Sequence, residues 1–286
     1  MQETLEYVNC DLCGDSKTTL IFIKDSFKHV RCNSCGLIYV NPRLKNSKET
    51  LDSFYASNTN SEGLIKSLLD RDYSVKRQKI FYAELKKMER YRKLNRILDI
   101  GCSFGGFLNA SKNRGWDVNG IEAVYEVGKY GKELYGLDIF FGTLDEAQLK
   151  PSSFDVIRLN NVIEHIHFPT EFLLKVSVLL RKGGLLIVST TNYGSFSVLI
   201  CGKDWIYFDG QHHIYLFTPA TLKKLLDKNG FTTILLNTKR IHVRIKDNIS
   251  HNMVKEILFK LSEKIISQFI QFTKKGHRLR VWAEKR

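Results

Sequence analysis

Proline and methionine are scarce in this chain of 286 residues, with four and three copies. No apolar run approaches the roughly 18–20 residues needed to span a bilayer, and residues 1–25 lack the apolar stretch and small-residue cleavage site of a secretory leader. There is no internal repeat or low-complexity tract, which excludes solenoid, propeller and collagen-like architectures. A soluble, cytoplasmic protein is the expectation, and an apolar content of 43% is ordinary for a chain with a true core. The length allows one large domain with an appendage, or two medium ones.

Negative charge is also in short supply: 30 acidic against 44 basic residues give a net charge of +14. The imbalance is uneven. Residues 1–95 carry 17 Lys/Arg against 12 Asp/Glu, residues 96–192 carry 10 against 11, and residues 193–286 carry 17 against 7. The excess on the last third suits an anionic partner, whether a nucleotide-linked small molecule, a glycan acceptor, RNA or an anionic membrane surface. Lysines that merely keep a surface soluble would produce the same count.

Three blocks follow from the patterning. Residues 1–45 hold four of the six cysteines. Residues 46–95 read as a helical linker and cap, with apolar residues at three- and four-residue steps (Ile80, Phe81, Leu85, Met88). From Arg96 to the end, short apolar runs alternate with helical stretches: strands over 97–100, 118–121, 138–141, 155–159 and 185–189, helices over 106–114, 124–134 and 171–180. That alternation predicts an α/β fold with a largely parallel, Rossmann-like sheet and helices on both faces. Residues 193–218, rich in glycine and aromatics, read as a substrate cap. A helix over 219–229, a strand over 232–236, an amphipathic helix over Met253–Thr273 and a last strand over 279–284 complete the chain. The amphipathic helix packs on its own sheet or lies on a membrane.

Cys10-Asp-Leu-Cys13 and Cys32-Asn-Ser-Cys35 have the C-x2-C…C-x2-C spacing of a zinc ribbon. Gly14 and Gly36 directly follow the second cysteine of each pair, allowing the backbone to fold back and set two thiolates at adjacent corners of a tetrahedron. Four thiolates close the coordination shell, so Cys10, Cys13, Cys32 and Cys35 predict a structural zinc that supplies folding free energy to a module too small for its own core.

In Arg96-Ile-Leu-Asp-Ile-Gly-Cys-Ser-Phe-Gly-Gly-Phe107 an apolar strand ends in Asp99, turns through Gly101 and Gly105 and opens a helix. A bare glycine loop is weak evidence. Asp99 sharpens it, because an aspartate before the first glycine would repel a pyrophosphate and suits a cationic ligand, such as the ammonium or sulfonium of S-adenosylmethionine. Glu122 closes the next strand, where an acid accepts hydrogen bonds from ribose hydroxyls.

Over about residues 62–286 the sequence resembles class I S-adenosylmethionine-dependent methyltransferases. Their D-x-G-x-G-x-G loop is matched at Asp99, Gly101 and Gly105, with Ser103 in place of the middle glycine. Phe154-Asp155-Val156-Ile157, Asn161-Val-Ile-Glu-His165 and Leu180-Arg-Lys-Gly-Gly-Leu-Leu-Ile-Val188 match the family's fourth strand and its approach to the fifth. The resemblance implies cofactor contacts at Asp99, Gly101, Cys102, Ser103, Gly105, Glu122, Thr143, Leu144, Asn160 and Asn161.

Asn160-Asn161-Val162-Ile163 lacks the prolines of the (N/D)-P-P-(Y/F) motif, which argues against methylation of a nucleobase amine. Glu164, His165 and His213 are the candidate catalytic groups, and Trp205, Tyr207 and Phe208 could stack on a sugar or base. The cysteine module with Arg31–Arg43, joined to this core, resembles bacterial enzymes of surface-polysaccharide and nucleotide-sugar pathways. O-methylation of a sugar hydroxyl, on a nucleotide-sugar or glycan, is the expected activity. Two alternatives are an RNA methyltransferase that uses the ribbon and the basic C-terminal third, and a scaffold that binds the cofactor without turnover.

Overall fold

The computed structural model describes residues 5–45, 62–239 and 269–286. The N-terminal strands are short: β1 (Leu5–Glu6), β2 (Thr18–Lys24), β3 (Phe27–Cys32), β4 (Ile38–Val40) and β5 (Arg43–Leu44). Two helices follow, α1 (Glu62–Tyr73) and α2 (Val75–Met88). Ser74 separates them, and its hydroxyl accepts from the Arg77 N–H at 3.3 Å, capping α2. The helical spacing read from the sequence becomes one buried face of α2, with Phe81, Leu85 and Met88 inward.

From Arg96 the chain alternates β6 (Arg96–Ile100), α3 (Gly106–Lys112), β7 (Asp117–Glu122), α4 (Tyr125–Tyr135), β8 (Asp138–Phe141), β9 (Phe154–Asn160), α5 (Pro169–Leu179) and β10 (Leu180–Thr191). It continues through α6 (Phe196–Cys201), β11 (Tyr215–Leu216), α7 (Pro219–Lys228), β12 (Phe231–Lys239) and β13 (Arg278–Lys285). Helix α7 shows its local causes plainly. Thr218 caps it, Pro219 opens it with a fixed φ, and Gly230 just beyond its end takes φ +84°. Of the amphipathic helix expected over Met253–Thr273, residues 253–268 lie outside the described residues, and 269–273 are helical.

Seven strands form one sheet in the order β12-β13-β10-β9-β6-β7-β8. The five from β6 to β10 run parallel and β13 antiparallel to β10. Residues Phe154–Leu159 of β9 are all buried, as a central strand covered by helices on both faces requires. The chain builds outward from β6 through β7 to β8, then returns to place β9 on the other side of β6. The order therefore reverses between β6 and β9, and a crevice opens at the carboxyl ends of those two strands.

The cysteine module is stitched to this body. Its sheet runs β11-β4-β3-β2, with Tyr215 opposite Tyr39 and Leu216 opposite Ile38. A strand of the expected cap segment thus completes the module's sheet. Cys10, Leu12, Leu37 and Tyr39 share one core cluster with Leu222 and Leu225 of α7. His29 is buried in the module, stacked on Phe22 at 4.3 Å, and burial pushes its imidazole down to about 4.

Arg43 bolts the two parts together from a position only 1% exposed. Its Nε meets Glu6 at 3.0 Å, and its Nη1 donates to the His167 carbonyl at 2.7 Å and the Tyr215 hydroxyl at 3.1 Å. Replacing Arg43 with Ala removes all three bonds at once. We expect a loss of about 2–4 kcal/mol, measured as a lower urea midpoint with an unchanged slope. Lysine, lacking the planar fork, should not restore the midpoint.

Candidate functional site

Four thiols converge in the module. Cys10 Sγ lies 3.4 Å from Cys35 Sγ, and Cys13 Sγ lies 3.4 Å from Cys32 Sγ. All four sulfurs fall within 4.8 Å of one another. A disulfide needs about 2.05 Å, whereas a tetrahedron of thiolates at about 2.3 Å from a metal has edges of about 3.8 Å. The donor set and spacing fit zinc. Two matching turns create it: Gly14 N–H donates to the Cys10 carbonyl at 2.7 Å and Gly36 N–H to that of Cys32 at 3.0 Å. Both glycines are left-handed, at φ +80° and +81°, a conformation in which a Cβ would strain the turn.

At the crevice between β6 and β9 lies a cavity of about 210 Å³, with Phe81 and Phe107 in its wall. The loop after β6 supplies Gly101, Cys102 and Ser103, the end of β9 supplies Arg158, Asn160 and Asn161, and the helices α1 and α2 supply Arg71, Asp72 and Arg77. A Cβ on Gly101 would lie 2.6 Å from Val162 Cγ2, so glycine is required for close approach as well as for its φ of +70°. Ser103 holds φ +53°, the left-handed region that a glycine would occupy without strain.

Asp99 lies beneath this loop, fully buried, with both carboxylate oxygens accepting from Arg158 Nη1 at 2.9 and 2.8 Å. The two residues face each other in register on adjacent strands. Burial pushes the Asp99 carboxyl up to about 6 against the pull of Arg158. Because a guanidinium keeps its charge, the ionised pair is the state this geometry fits. The cation that Asp99 meets in this structure is therefore Arg158. The charged groups lining the cavity itself are Arg71, Asp72, Arg77 and Arg158. Among the described residues Arg77 Nε has no hydrogen-bond partner, and burial followed by the nearby Arg158 lowers its pKa.

Glu122 stands at the end of β7, directly behind the loop. Its oxygens accept from the N–H groups of Ser103 at 2.7 Å and Val124 at 3.0 Å, while burial raises its pKa against them. Thr143 and Leu144 lie one strand further out and do not line the cavity. The Thr143 N–H and hydroxyl both donate to Glu146, and Leu144 joins the core. Gly105, at φ +71°, precedes the first turn of α3. Asn160 accepts from Arg278 Nη2 at 2.6 Å, and the Asn161 N–H donates to the Ser189 carbonyl at 2.7 Å.

Immediately past Asn161, the short turn Ile163–His165 brings Glu164 and His165 to His213, their donor atoms within 4.8 Å of one another. The rings of His165 and His213 lie 4.8 Å apart. His165 Nδ1 is 2.9 Å from the His212 carbonyl, and His213 Nδ1 is 3.3 Å from Asp209 Oδ2. Burial raises the Glu164 carboxyl, and burial followed by the adjacent His213 pushes His165 down to about 3, so His165 is neutral. Burial works against the charge on Asp209, but hydrogen bonds from His212 and His213 hold its carboxyl well below the usual range.

The three catalytic candidates are thus one cluster, beside β11 and following in sequence on Asn161 of the cavity wall, and none of the three lines the cavity itself. Trp205 and Phe208 are buried and pack on each other at 5.0 Å, so they are wall rather than stacking platform. Tyr207 remains half-buried, its ring edge-on to His213 at 5.6 Å. Asp72, Arg77, Arg158 and Asp209 were not singled out from the sequence. Arg158 had a signal: a lone cation inside an apolar strand must have a buried partner, and Asp99 was the lone anion in its neighbour.

A family model described as a methyltransferase domain matches residues 68–236. The ubiquinone biosynthesis O-methyltransferase of Cereibacter sphaeroides is 34% identical over 151 residues, 49% of this chain and 61% of that protein. That of Roseobacter denitrificans is 30% identical over 165 residues, 54% of this chain and 66% of the relative. The chain thus spans about three fifths of the length of the first of these curated relatives. Among solved structures, a SAM-dependent methyltransferase from Archaeoglobus fulgidus superposes with a TM-score of 0.53 at 20% identity, covering 73% of this chain and 94% of that one. The 1,6-didemethyltoxoflavin-N1-methyltransferase of Burkholderia thailandensis, bound to 1,6-didemethyltoxoflavin and S-adenosylhomocysteine, gives 0.54 at 16% identity, covering 93% and 98%. At such identities the likeness is one of fold.

Two outcomes follow from this geometry. Arg158→Met strands a buried carboxylate and should cost about 3–5 kcal/mol, whereas pairing it with Asp99→Leu should recover most of that loss. Chemical denaturation of the four members of the cycle measures both. Elemental analysis of the purified chain should find one zinc held by the thiolates, and stripping it with a strong chelator should lower the melting temperature. A chain without zinc that melts unchanged would refute the metal assignment.

Proposed function

The chain belongs to the methyltransferase-domain family, and on that premise we propose that it transfers the methyl group of S-adenosylmethionine to a hydroxyl oxygen. The observation that carries the reading is the placement of the glycine loop, Glu122 and the Glu164–His165–His213 cluster around one strand reversal. When bound, S-adenosylmethionine supplies a methyl carbon made electrophilic by its sulfonium. Glu122 retains lone pairs for two ribose hydroxyls beyond its two backbone bonds. Arg77 and Asp72 offer a zwitterionic amino acid a cation for its carboxylate and an anion for its ammonium. Asp72 is otherwise only loosely paired with Arg71, at 3.4 Å. Asp99 then acts through Arg158, holding the floor of the site.

The acceptor hydroxyl reaches the cluster from the cap side, where its proton is taken as the oxygen attacks. We assign the acceptor as a sugar, free as its nucleoside diphosphate conjugate or within a glycan. Support comes from the basic C-terminal third, which favours an anionic carrier, and from Tyr207, whose half-buried ring flanks His213. The relatives named above carry O-methyl transfer in their names, which agrees with a hydroxyl as acceptor. The four-cysteine module takes the role of a structural zinc ribbon that holds β11, and so His213, in place.

Calorimetry on the purified chain should detect uptake of S-adenosylhomocysteine, and Glu122→Ala should weaken it by about 10–100-fold. With labelled methyl donor and a panel of nucleoside diphosphate sugars, label should appear on a sugar oxygen. His213→Ala should lower kcat/KM by about 10²–10⁴ yet still bind S-adenosylhomocysteine. Label on ubiquinone precursors alone would move the acceptor to the pathway named for the relatives, and label on tRNA would make it RNA. No uptake of either form of the cofactor would end the proposal.

A further inference from the structure

Glu164 is fully buried, yet neither of its carboxylate oxygens makes a hydrogen bond of ordinary geometry among the described residues. Its own backbone N–H and the Thr190 hydroxyl offset part of the cost, but no cation forms an ion pair with the carboxylate among the described residues, and burial still raises its pKa. Arg278 is near enough to influence it, but its Nη2 donates to Asn160 at 2.6 Å. What faces Glu164 instead is a pair of imidazoles, with one donor atom from each of the three residues inside a 4.8 Å span.

The tautomers of those imidazoles follow from their outer bonds. The His212 carbonyl can only accept, so His165 Nδ1, 2.9 Å away, carries the proton and Nε2 the lone pair. Asp209 accepts in the same way from His213 Nδ1 at 3.3 Å, and its other oxygen lies 3.1 Å from His212 Nδ1. A carboxylate or carbonyl behind Nδ1, leaving Nε2 to the metal, is the way ligating histidines are commonly oriented and made more basic.

We propose that Glu164, His165 and His213 hold a divalent first-row transition-metal ion, oriented from behind by Asp209 and the His212 carbonyl. Two imidazoles disfavour magnesium and calcium, which take oxygen ligands. The site differs in kind from the thiolate cluster. Four sulfurs close a coordination shell, whereas three protein ligands leave further positions for water and for oxygens of the acceptor. Glu164 then gains the cation that its burial calls for. With all three side chains on the ion none of them would serve as base; the ion would instead bind the acceptor hydroxyl and lower its pKa so that the proton passes to water, a role that rests on the O-methyl transfer proposed above. Binding of the ion does not.

Manganese(II) is the probe, because it is harder than zinc, leaves the thiolates to that metal, and has a free-ion signal that binding removes. The full-length chain, dialysed free of loosely held metal, should bind one Mn²⁺, read as loss of the free-ion electron paramagnetic resonance signal. Glu164→Gln and His213→Asn should abolish that binding. Asp209→Asn, at a partly exposed positioning residue that need not disturb packing, should weaken it by about 10–100-fold. Absence of Mn²⁺ binding, with elemental analysis finding no metal beyond that held by the thiolates, would overturn the proposal, as would variants that bind like the parent. Calorimetry with S-adenosylhomocysteine on the same samples separates the two ideas. Cofactor uptake without Mn²⁺ binding leaves the methyltransferase reading and removes the ion, and Mn²⁺ binding without cofactor uptake does the reverse.

Discussion

Two opposite charges on neighbouring strands, both shielded from water, set the terms for everything at the carboxyl edge of the sheet. Asp99 and Arg158 sit directly across from one another on β6 and β9. A slip of one residue would turn each of them to the opposite face and leave two uncompensated charges in an apolar interior. The pair therefore fixes the register of the two strands between which the order reverses. The loop that follows one strand and the asparagines that follow the other inherit their separation from it. The cavity, and the turn carrying Glu164 and His165 beyond it, are downstream of that register.

A second dependency runs through the module. It is tied in by a strand pair, by a shared core and by Arg43, so it acts as part of the wall around the site and not as a tethered bead. The strand it grips begins two residues after His213. Gly210, in the same segment, packs so close to Phe27 of the module that a Cβ would lie 2.1 Å from that side chain. The side chain credited with handling the acceptor is thus positioned from the N-terminal block as well as from the sheet. This gives a physical reason for a small module built around four converging thiols to be fused to an α/β core that already has its own hydrophobic interior.

Much of the fold was legible because it is written in periodicity. The strand over Asp138–Phe141 was placed to the residue and most others to within a few, whereas β10 begins at Leu180, well before the strand read from residue 185. The glycine loop and the two cysteine pairs announce themselves by spacing, which survives without knowledge of the fold. What escaped was everything that depends on which side chains meet across long separations. Asp99 was legible as an unusual anion, but its partner 59 positions away was not. The pairing of β11 with β4 had no local signature, since Tyr215–Leu216 is only two residues long. Trp205 and Phe208 read as candidate stacking rings because composition does not reveal which way a ring points. Asp72 and Arg77 belong to helices whose docking over the crevice is a tertiary event.

The bond from Arg43 to Tyr215 spans 172 positions of chain. During synthesis the N-terminal block leaves the ribosome first, but β4, paired with β3 on one side, has no partner on the other until β11 has followed. Closing so long a loop must precede any gain from the contacts it brings, and this favours late completion of that corner. Through that interval β4 is an open edge with its backbone groups unpaired, and such edges invite strands from other chains. The nascent protein is therefore most prone to self-association just before its last third is made.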